Sequence, residues 1–293
     1  MNADRTEGAP PASQPTMVTL LTDFGLEGGY AAACEAIVLS IEPSVRVLHL
    51  SHQVAVGDVQ GGALILRRLA PLCPTAVHLA VVDPGVGTAR RPLAIRTRRG
   101  DILVGPDNGL LVPAAEALAG IDTAWVLEPS LVRDSANLAT NVYSSTFHGR
   151  DLFAPAAGLL YRGTPADALG GPVRADSLMR LRDPWWERTR EGLTAKVIEV
   201  DRFGNVELAA GFDELHLAGP SVFVEVEGED LTPWEARVVD TFGQLEAGQL
   251  GIFRDSWGCL ALALNGASAA QLLTVERGMS VRLIVAPGND SGT

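Results

Sequence analysis

From residue 17 onward, short runs of uninterrupted apolar residues alternate with stretches whose apolar positions recur every three to four residues. Residues 18–21 predict a buried strand ending in the turn Thr22-Asp23-Phe24-Gly25, residues 30–41 a helix, and residues 45–50 a second strand. Asp58 is placed to cap a helix running to Leu69, since an aspartate there accepts a bond from an unpaired N–H of the first turn. Residues 76–82 are almost entirely apolar, the pattern of a strand covered by helices on both faces. Residues 93–97 and 102–105, joined by Arg98-Arg99-Gly100, read as a hairpin, and a strand at 124–127 and a helix at 153–160 follow. This β-α-β-α-β opening predicts an α/β N-terminal domain with a mainly parallel sheet over residues 17–183.

After Pro184-Trp185-Trp186 the period changes. Short alternating segments at 195–200, 222–226, 236–239, 251–253, 259–264 and 281–285 are separated by Gly, Pro and Asp, and only 267–273 has a helical pattern. That is the signature of a smaller all-β, barrel-like C-terminal domain over residues 193–287, with a linker at about 180–193.

Composition narrows the class of partner. The chain has 293 residues, 47% of them apolar and 20% charged, which suits a folded globular protein of two domains. Its net charge of −12, from 35 acidic and 23 basic side chains, repels a phosphate backbone and argues against nucleic acid as a partner. Cys34, Cys73 and Cys259 are odd in number and widely spaced, so neither a disulfide framework nor a CxxC metal site is indicated; three reduced thiols in a cytoplasmic protein are expected. Residues 1–16 lack the basic start and apolar core of a signal peptide and read as a disordered leader. No apolar run reaches the ~20 residues of a membrane span.

In open parallel sheets ligands gather at the carboxyl ends of strands. Two apolar strands here end in aspartate, Asp23 and Asp83, and the turn Pro106-Asp107-Asn108-Gly109 follows a third. Each alone reads most simply as a turn or cap residue; three at one edge point to a site. Arg90 lies close enough along its loop to pair with Asp83, whereas Arg91 reads as a surface arginine. Among the histidines, His148 stands in a polar turn before a helix, with Asp151 suited to the helix N-terminus, while His49 and His78 lie in strand patterns. A metal site using His148 and Asp151 lacks a second ligand cluster, and a Ser–His–Asp hydrolase built on Ser144 or Ser145 lacks a GxSxG elbow. In the second domain, Asp201-Arg202-Phe203-Gly204-Asn205, Asp255-Ser256-Trp257-Gly258 and Asn265-Gly266 read as hairpin turns whose polar groups can also face a ligand.

Taken in order, TDFG (22–25), VVDPGVGT (81–88) with Arg90, PDNG (106–109), STFHGRDLFAPAA (145–157), DRFGN (201–205) and DSWG (255–258) resemble the S-adenosyl-L-methionine (SAM) hydroxide adenosyltransferases, or SAM hydrolases. The fluorinase and chlorinase are their relatives, and the resemblance covers about residues 17–286. It implies cleavage of SAM by water or hydroxide at ribose C5′, giving adenosine and L-methionine, with SAM as substrate and no cofactor or metal. It also implies a homotrimer that binds SAM between the N-terminal domain of one subunit and the C-terminal domain of the next.

By the same resemblance Asp83, Arg90 and His148 position and activate water. Asp23 holds the ribose hydroxyls, Asp201 and Ser256 the methionine end, and Asn205 the adenine, with Phe147, Gly149, Phe203 and Asn265 completing the binding set. Gly149 stands where the fluorinase has a halide-contacting serine, and the short stretch from Arg90 to Leu111 has no room for the fluorinase's extra loop; both favour hydroxide. The chain departs from the pattern in Leu26-Glu27-Gly28-Gly29 before Tyr30, in Trp257, which is not expected to touch the chemistry, and in its leader. A chlorinase and a SAM or adenosine sensor without turnover are the competing readings.

Overall fold

A computed structural model describes residues 14–138, 144, 146–182, 186–217, 219–227 and 232–285. The predicted leader therefore lies outside the described residues except at 14–16, as do Ser145 and positions 183–185. The chain divides into two compact units, Met1–Leu181 and Arg182–Thr293.

In the first unit the elements are β1 (Val18–Thr22), α1 (Tyr30–Ile41), β2 (Val47–Ser51), α2 (Val59–Leu69), β3 (Val77–Val81), β4 (Pro92–Thr97), β5 (Ile102–Pro106), α3 (Val112–Ala117), β6 (Ile121–Leu127), α4 (Pro129–Ala136), α5 (Ala154–Tyr161) and β7 (Gly170–Val173). The seven strands form one sheet in the order β2-β1-β3-β5-β4-β6-β7. β1, β3 and β5 pair in parallel, as does β2 on β1, whereas β4–β5, β4–β6 and β6–β7 are antiparallel. The expectation of a mainly parallel sheet is therefore corrected to a mixed one. The reason lies in the 93–105 hairpin: two strands joined by a tight turn pair only antiparallel, and β6 and β7 then extend that antiparallel half.

Side chains along a strand alternate between faces, so Leu20 and Val81 join one core while their neighbours Leu21 and Val82 join another. On the first face the sheet packs against Cys34, Val38 and Ile41 of α1, Val132 of α4, and α5; on the second it packs against Ala63 and Leu66 of α2 and Ala114 and Ala115 of α3. This three-layer arrangement explains the near-continuous apolar runs of β1 and β3, which are buried along their whole length. Asp58 caps α2 as predicted, its carboxylate accepting from the Gly61 N–H at 2.9 Å.

The second unit contains β8 (Trp186–Arg188), β9 (Gly192–Val200), β10 (Val206–Gly211), β11 (Ser221–Val226), β12 (Trp234–Val238), β13 (Leu250–Arg254), β14 (Cys259–Leu264), α6 (Ala269–Leu273) and β15 (Ser280–Val285). Strands β10-β14-β13-β12-β11-β15-β9 follow one another, and β9 pairs back on β10, which closes a barrel. Closure removes the exposed edges that an open sheet of short strands would present. β8 adds outside the ring by pairing with β9, so part of the stretch predicted as linker is strand. Among the described residues no helix is long and apolar enough to cross a membrane.

Candidate functional site

Three adjacent parallel strands, β1, β3 and β5, deliver Asp23, Asp83 and Asp107 to one edge of the first unit. Their fates differ. Asp83 is almost fully buried and binds the Arg90 guanidinium through Nε, 3.1 Å from Oδ1 and 2.9 Å from Oδ2, and also through the terminal nitrogen Nη2. The same Nη2 donates to His148 Nδ1 at 2.8 Å, and the guanidinium carbon lies 5.0 Å over the Phe153 ring. Charge-assisted, two-point pairing of this kind fixes the orientation of Arg90 as well as its charge.

His148 enters this array through backbone geometry. It precedes a widened turn, Gly149–Phe153, in which the Ala154 N–H reaches back five residues to the Gly149 carbonyl before α5 begins. Such π-turns are common at functional positions because they re-aim side chains. Arginine has no acceptor, so His148 Nδ1 must be the acceptor and the imidazole proton sits on Nε2. Burial and the neighbouring Arg90 charge both hold the His148 pKa below its ordinary value, which keeps the ring neutral. The array thus presents a neutral imidazole N–H beside a guanidinium.

Asp151 accepts the Ser144 N–H at 2.7 Å and pairs with Arg150, which tethers the loop before the turn. The Ser144 hydroxyl pairs with Thr146 Oγ1 at 2.8 Å, and that bond gives no support to a Ser–His–Asp hydrolase. Asp107 is not available to a ligand. Its carboxylate is taken by Arg91 and by the Met179 N–H, and Arg91 also binds the Ser177 carbonyl, so Arg91 is a structural tie rather than a surface arginine. Asn108 likewise serves its turn, donating to the Val82 carbonyl.

Half-buried Asp23 accepts the Gly57 N–H on Oδ2 at 2.8 Å, one bond on a carboxylate that can accept about four. Beside it Phe24, Tyr30 and Phe147 form an edge-to-face trio with centroids 5.1–6.2 Å apart. Sequence reasoning did not assign Phe24 or Tyr30 a role. Two of these rings confine Gly149: a Cβ there would lie 3.1 Å from Phe24 and 3.2 Å from Phe147. Gly149→Ser is therefore expected to lower stability by about 1 kcal/mol, the lower end for overpacking, because both rings must shift. Urea unfolding of the variant checks this, and an unchanged midpoint would mean the rings do not confine position 149.

In the second unit the turn 201–205 between β9 and β10 is organised by Asp201. Its Oδ1 accepts the Phe203 and Asn205 N–H groups at 2.8 and 3.0 Å, and its Oδ2 accepts the Asn205 side-chain amide at 2.8 Å. Gly204 adopts φ +82°, and a Cβ there would fall 2.1 Å from Ser268 Oγ, so only glycine lets the turn dock on the start of α6. Asp201 and Asn205 line an open cleft of about 430 Å³ together with Ser256, Trp257, Phe242 and Asp255. Trp257, which is not expected to touch the chemistry, thus lines the same cleft as Asp201, Asn205 and Ser256. Phe203 is largely exposed on the same turn, and Asn265 lies elsewhere, its amide donating to the Leu245 carbonyl at 2.7 Å. Neither lines the cleft.

Residues 18–170 match the family model of the SAM hydroxide adenosyltransferase N-terminal domain, and residues 195–282 match that of its C-terminal domain. The chain is similar to the (R)-S-adenosyl-L-methionine hydrolase of Salinispora tropica, 44% identical over 91% of this chain and 97% of that one. The enzyme of the same name from Thermus thermophilus is 39% identical over 91% and 99%. The fluorinase of Actinopolyspora mzabensis is more distant, at 26% over 91% and 96%. An uncharacterized conserved protein from Thermotoga maritima superimposes with a TM-score of 0.79 at 31% identity, covering 91% of this chain and 100% of that one. With both domains matched, the chain belongs to the SAM hydroxide adenosyltransferase family.

Proposed function

We propose that this enzyme cleaves SAM by in-line displacement at ribose C5′, with water or hydroxide as nucleophile, to give adenosine and L-methionine. The observation that carries the reading is the Asp83–Arg90–His148 array. An oxygen lone pair forms the C5′–O bond, the C5′–S bond breaks with its electrons moving to sulfur, and methionine leaves as a neutral thioether that needs no proton. What the protein must supply is a nucleophile held in line, and positioning of that kind contributes up to ~7–11 kcal/mol. Bulk water has a pKa of about 15.7, so hydroxide is scarce near neutrality unless cationic donors stabilise it.

Arg90 and the Nε2–H of His148 are such donors. With Nδ1 occupied by Arg90, His148 donates to the nucleophile rather than taking its proton, which passes to solvent. Asp23 accepts the ribose hydroxyls against the Phe24, Tyr30 and Phe147 wall. Asp201 and Ser256 hold the amino-acid end, and Asn205 with the aromatic faces of Phe242 and Trp257 suits the adenine. The acidic lining of that cleft, including Glu199, Glu207 and Asp240, complements the positive sulfonium and ammonium. Run in ¹⁸O water, the enzyme is expected to place label on the 5′-oxygen of adenosine; unlabelled adenosine would overturn hydroxide attack.

The chlorinase alternative has less support. The relatives at 39–44% identity are named as hydrolases, and those named as fluorinases stand at 25–26%. A cytoplasmic setting belongs to the same proposal and rests on the free thiols, since oxidising compartments favour disulfides.

The proposal extends to a homotrimer with active sites shared between subunits, as the family resemblance implies; the proposed ligand residues fall in two compact units of the chain. Mixing a His148 variant with an Asp201 variant, each inactive alone, is then expected to restore partial activity on subunit exchange. No recovery after exchange confirmed by mass spectrometry would place the whole site within one chain.

A further inference from the structure

A second line of polar side chains ends at the strand edge that carries Asp23, and the chemistry above makes no use of it. Thr22, the buried last residue of β1, has its hydroxyl 2.8 Å from His52 Nδ1 and receives the Phe24 N–H at 3.3 Å. His52 Nε2 lies 2.7 Å from His49 Nδ1, and His49 Nε2 stands 3.3 Å from Glu35 Oε2 on α1. The His52 carbonyl also accepts the Gly25 N–H at 2.8 Å. His52 therefore holds the 22–25 turn twice, once through its backbone and once through Thr22.

Counting donors and acceptors gives this line a single direction. A carboxylate only accepts, so Glu35 favours the proton of His49 on Nε2, and neutral His49 then accepts at Nδ1. His52 must donate to it from Nε2 and accept at Nδ1, so the Thr22 hydroxyl donates inward and keeps a lone pair for Phe24. The Thr22 side of the turn depends on that order, while the Gly25 side is held by the His52 carbonyl whatever the protonation. The turn presents Asp23 and Phe24, which are the ribose acceptor and part of the aromatic wall in the proposed function.

We infer that Glu35, His49 and His52 are positioning residues for nucleoside binding, which fix the Asp23–Phe24 turn through Thr22 and release it when His52 gains a proton. Their role rests on Asp23 being the ribose acceptor. A proton on His52 puts an N–H at Nδ1 against the Thr22 hydroxyl, which must turn to accept it and competes with Phe24. The groups facing the two histidines are Glu35 from α1 and Thr22 from β1. Burial and the charge of His49 lower the His52 pKa below its ordinary 6.5, while Glu35 opposes them. The line is accordingly intact at neutral pH and fails as pH falls.

Adenosine is the probe, since it gains no charge over the range from about pH 8 to about pH 5.5 in which histidine titrates. Calorimetry is expected to show wild-type affinity falling several-fold across that range. His52→Asn, whose amide oxygen replaces Nδ1 as acceptor and does not titrate, is expected to lose most of this dependence. Glu35→Ala should weaken binding about two- to fivefold at the upper pH, the range for a half-exposed electrostatic contact such as that of Glu35 Oε2 with His49 Nε2. Glu35→Gln should restore most of that affinity and move the acid fall to lower pH, because the attraction for the imidazolium is gone.

A purely structural role predicts equal weakening at every pH and no difference between the Glu35 variants. Wild-type acid dependence in His52→Asn, or wild-type affinity in Glu35→Ala, would overturn the inference. The Glu35 pair carries the test should His52→Asn fail to fold, since the Glu35 side chain is 34% exposed. Asp23→Ala measured alongside separates the two levels. If its affinity is unchanged, the ribose reading falls; if it is weakened while the Glu35 and His52 variants behave as wild type, only the positioning line falls.

Discussion

Arg90→Ala and His148→Ala should each lower turnover by about 10²–10⁴-fold while leaving SAM affinity within a few-fold of wild type. The asymmetry comes from where the two side chains act. In the proposed function both aim donors at the nucleophile, whose charge and bonding change on the way to the transition state, so their loss would fall on the chemical step rather than on ground-state binding. Asp83→Ala should reproduce the Arg90 defect, because the buried guanidinium takes its orientation from that carboxylate and, unpaired, swings toward solvent. Double variants should be far from additive, since the three residues form one bonded unit.

The pH dependence has a defined sign. Protonation of His148 puts an N–H at Nδ1 against the Arg90 donor and breaks their bond. Burial and Arg90 hold that pKa below 6.5, so turnover should stay level through neutral pH and fall only on the acid side of 6.5. Stability has the same sign, being lost as pH drops below the unfolded-state value because the unfolded ring takes up the proton first. Steady-state kinetics beside calorimetry with SAM checks the set; variants that lose affinity as much as turnover would show these residues to be binding groups.

Asp23→Ala should weaken adenosine and SAM binding by ~1.5–3 kcal/mol, since a ribose diol loses a charged acceptor. Part of that loss comes through the loop at Gly57, whose N–H binds Asp23 Oδ2. Asp23→Asn separates the contributions: it keeps an oxygen for Gly57 and discards the charge, so it should fall between wild type and alanine. Calorimetric affinity for adenosine equal to wild type in both variants would remove Asp23 from the site.

Some of this was legible in the residue pattern and some was not. The apolar runs of β1 and β3 marked buried strands, the Asp58 cap marked the start of α2, and the alternating segments after residue 193 marked a barrel. The strands and short helices at 112–117, 129–136, 170–173 and 206–211 escaped because they are brief, and their period is carried by tertiary contacts rather than by length. Asp107 and Asp83 look alike in sequence, each close behind an apolar strand, yet one is spent on Arg91 and Met179 and the other anchors Arg90. Trp257, given no part in the chemistry by its sequence context, proved to line the cleft because the 255–258 and 201–205 turns border the same opening.

By itself the sequence determined the kind of local structure and the identities of the chemical groups, because these depend on propensity, period and side-chain pKa over a few neighbouring residues. Only the tertiary structure decided which groups meet. His148 lies 58 positions from Arg90, and Glu35 reaches Thr22 through two histidines on other segments. The proton's place on His148 and the direction of the Thr22–His52–His49–Glu35 line are likewise properties of donors and acceptors brought together by packing. No run of residues contains them, because a hydrogen bond's direction is set by the partner that folding supplies.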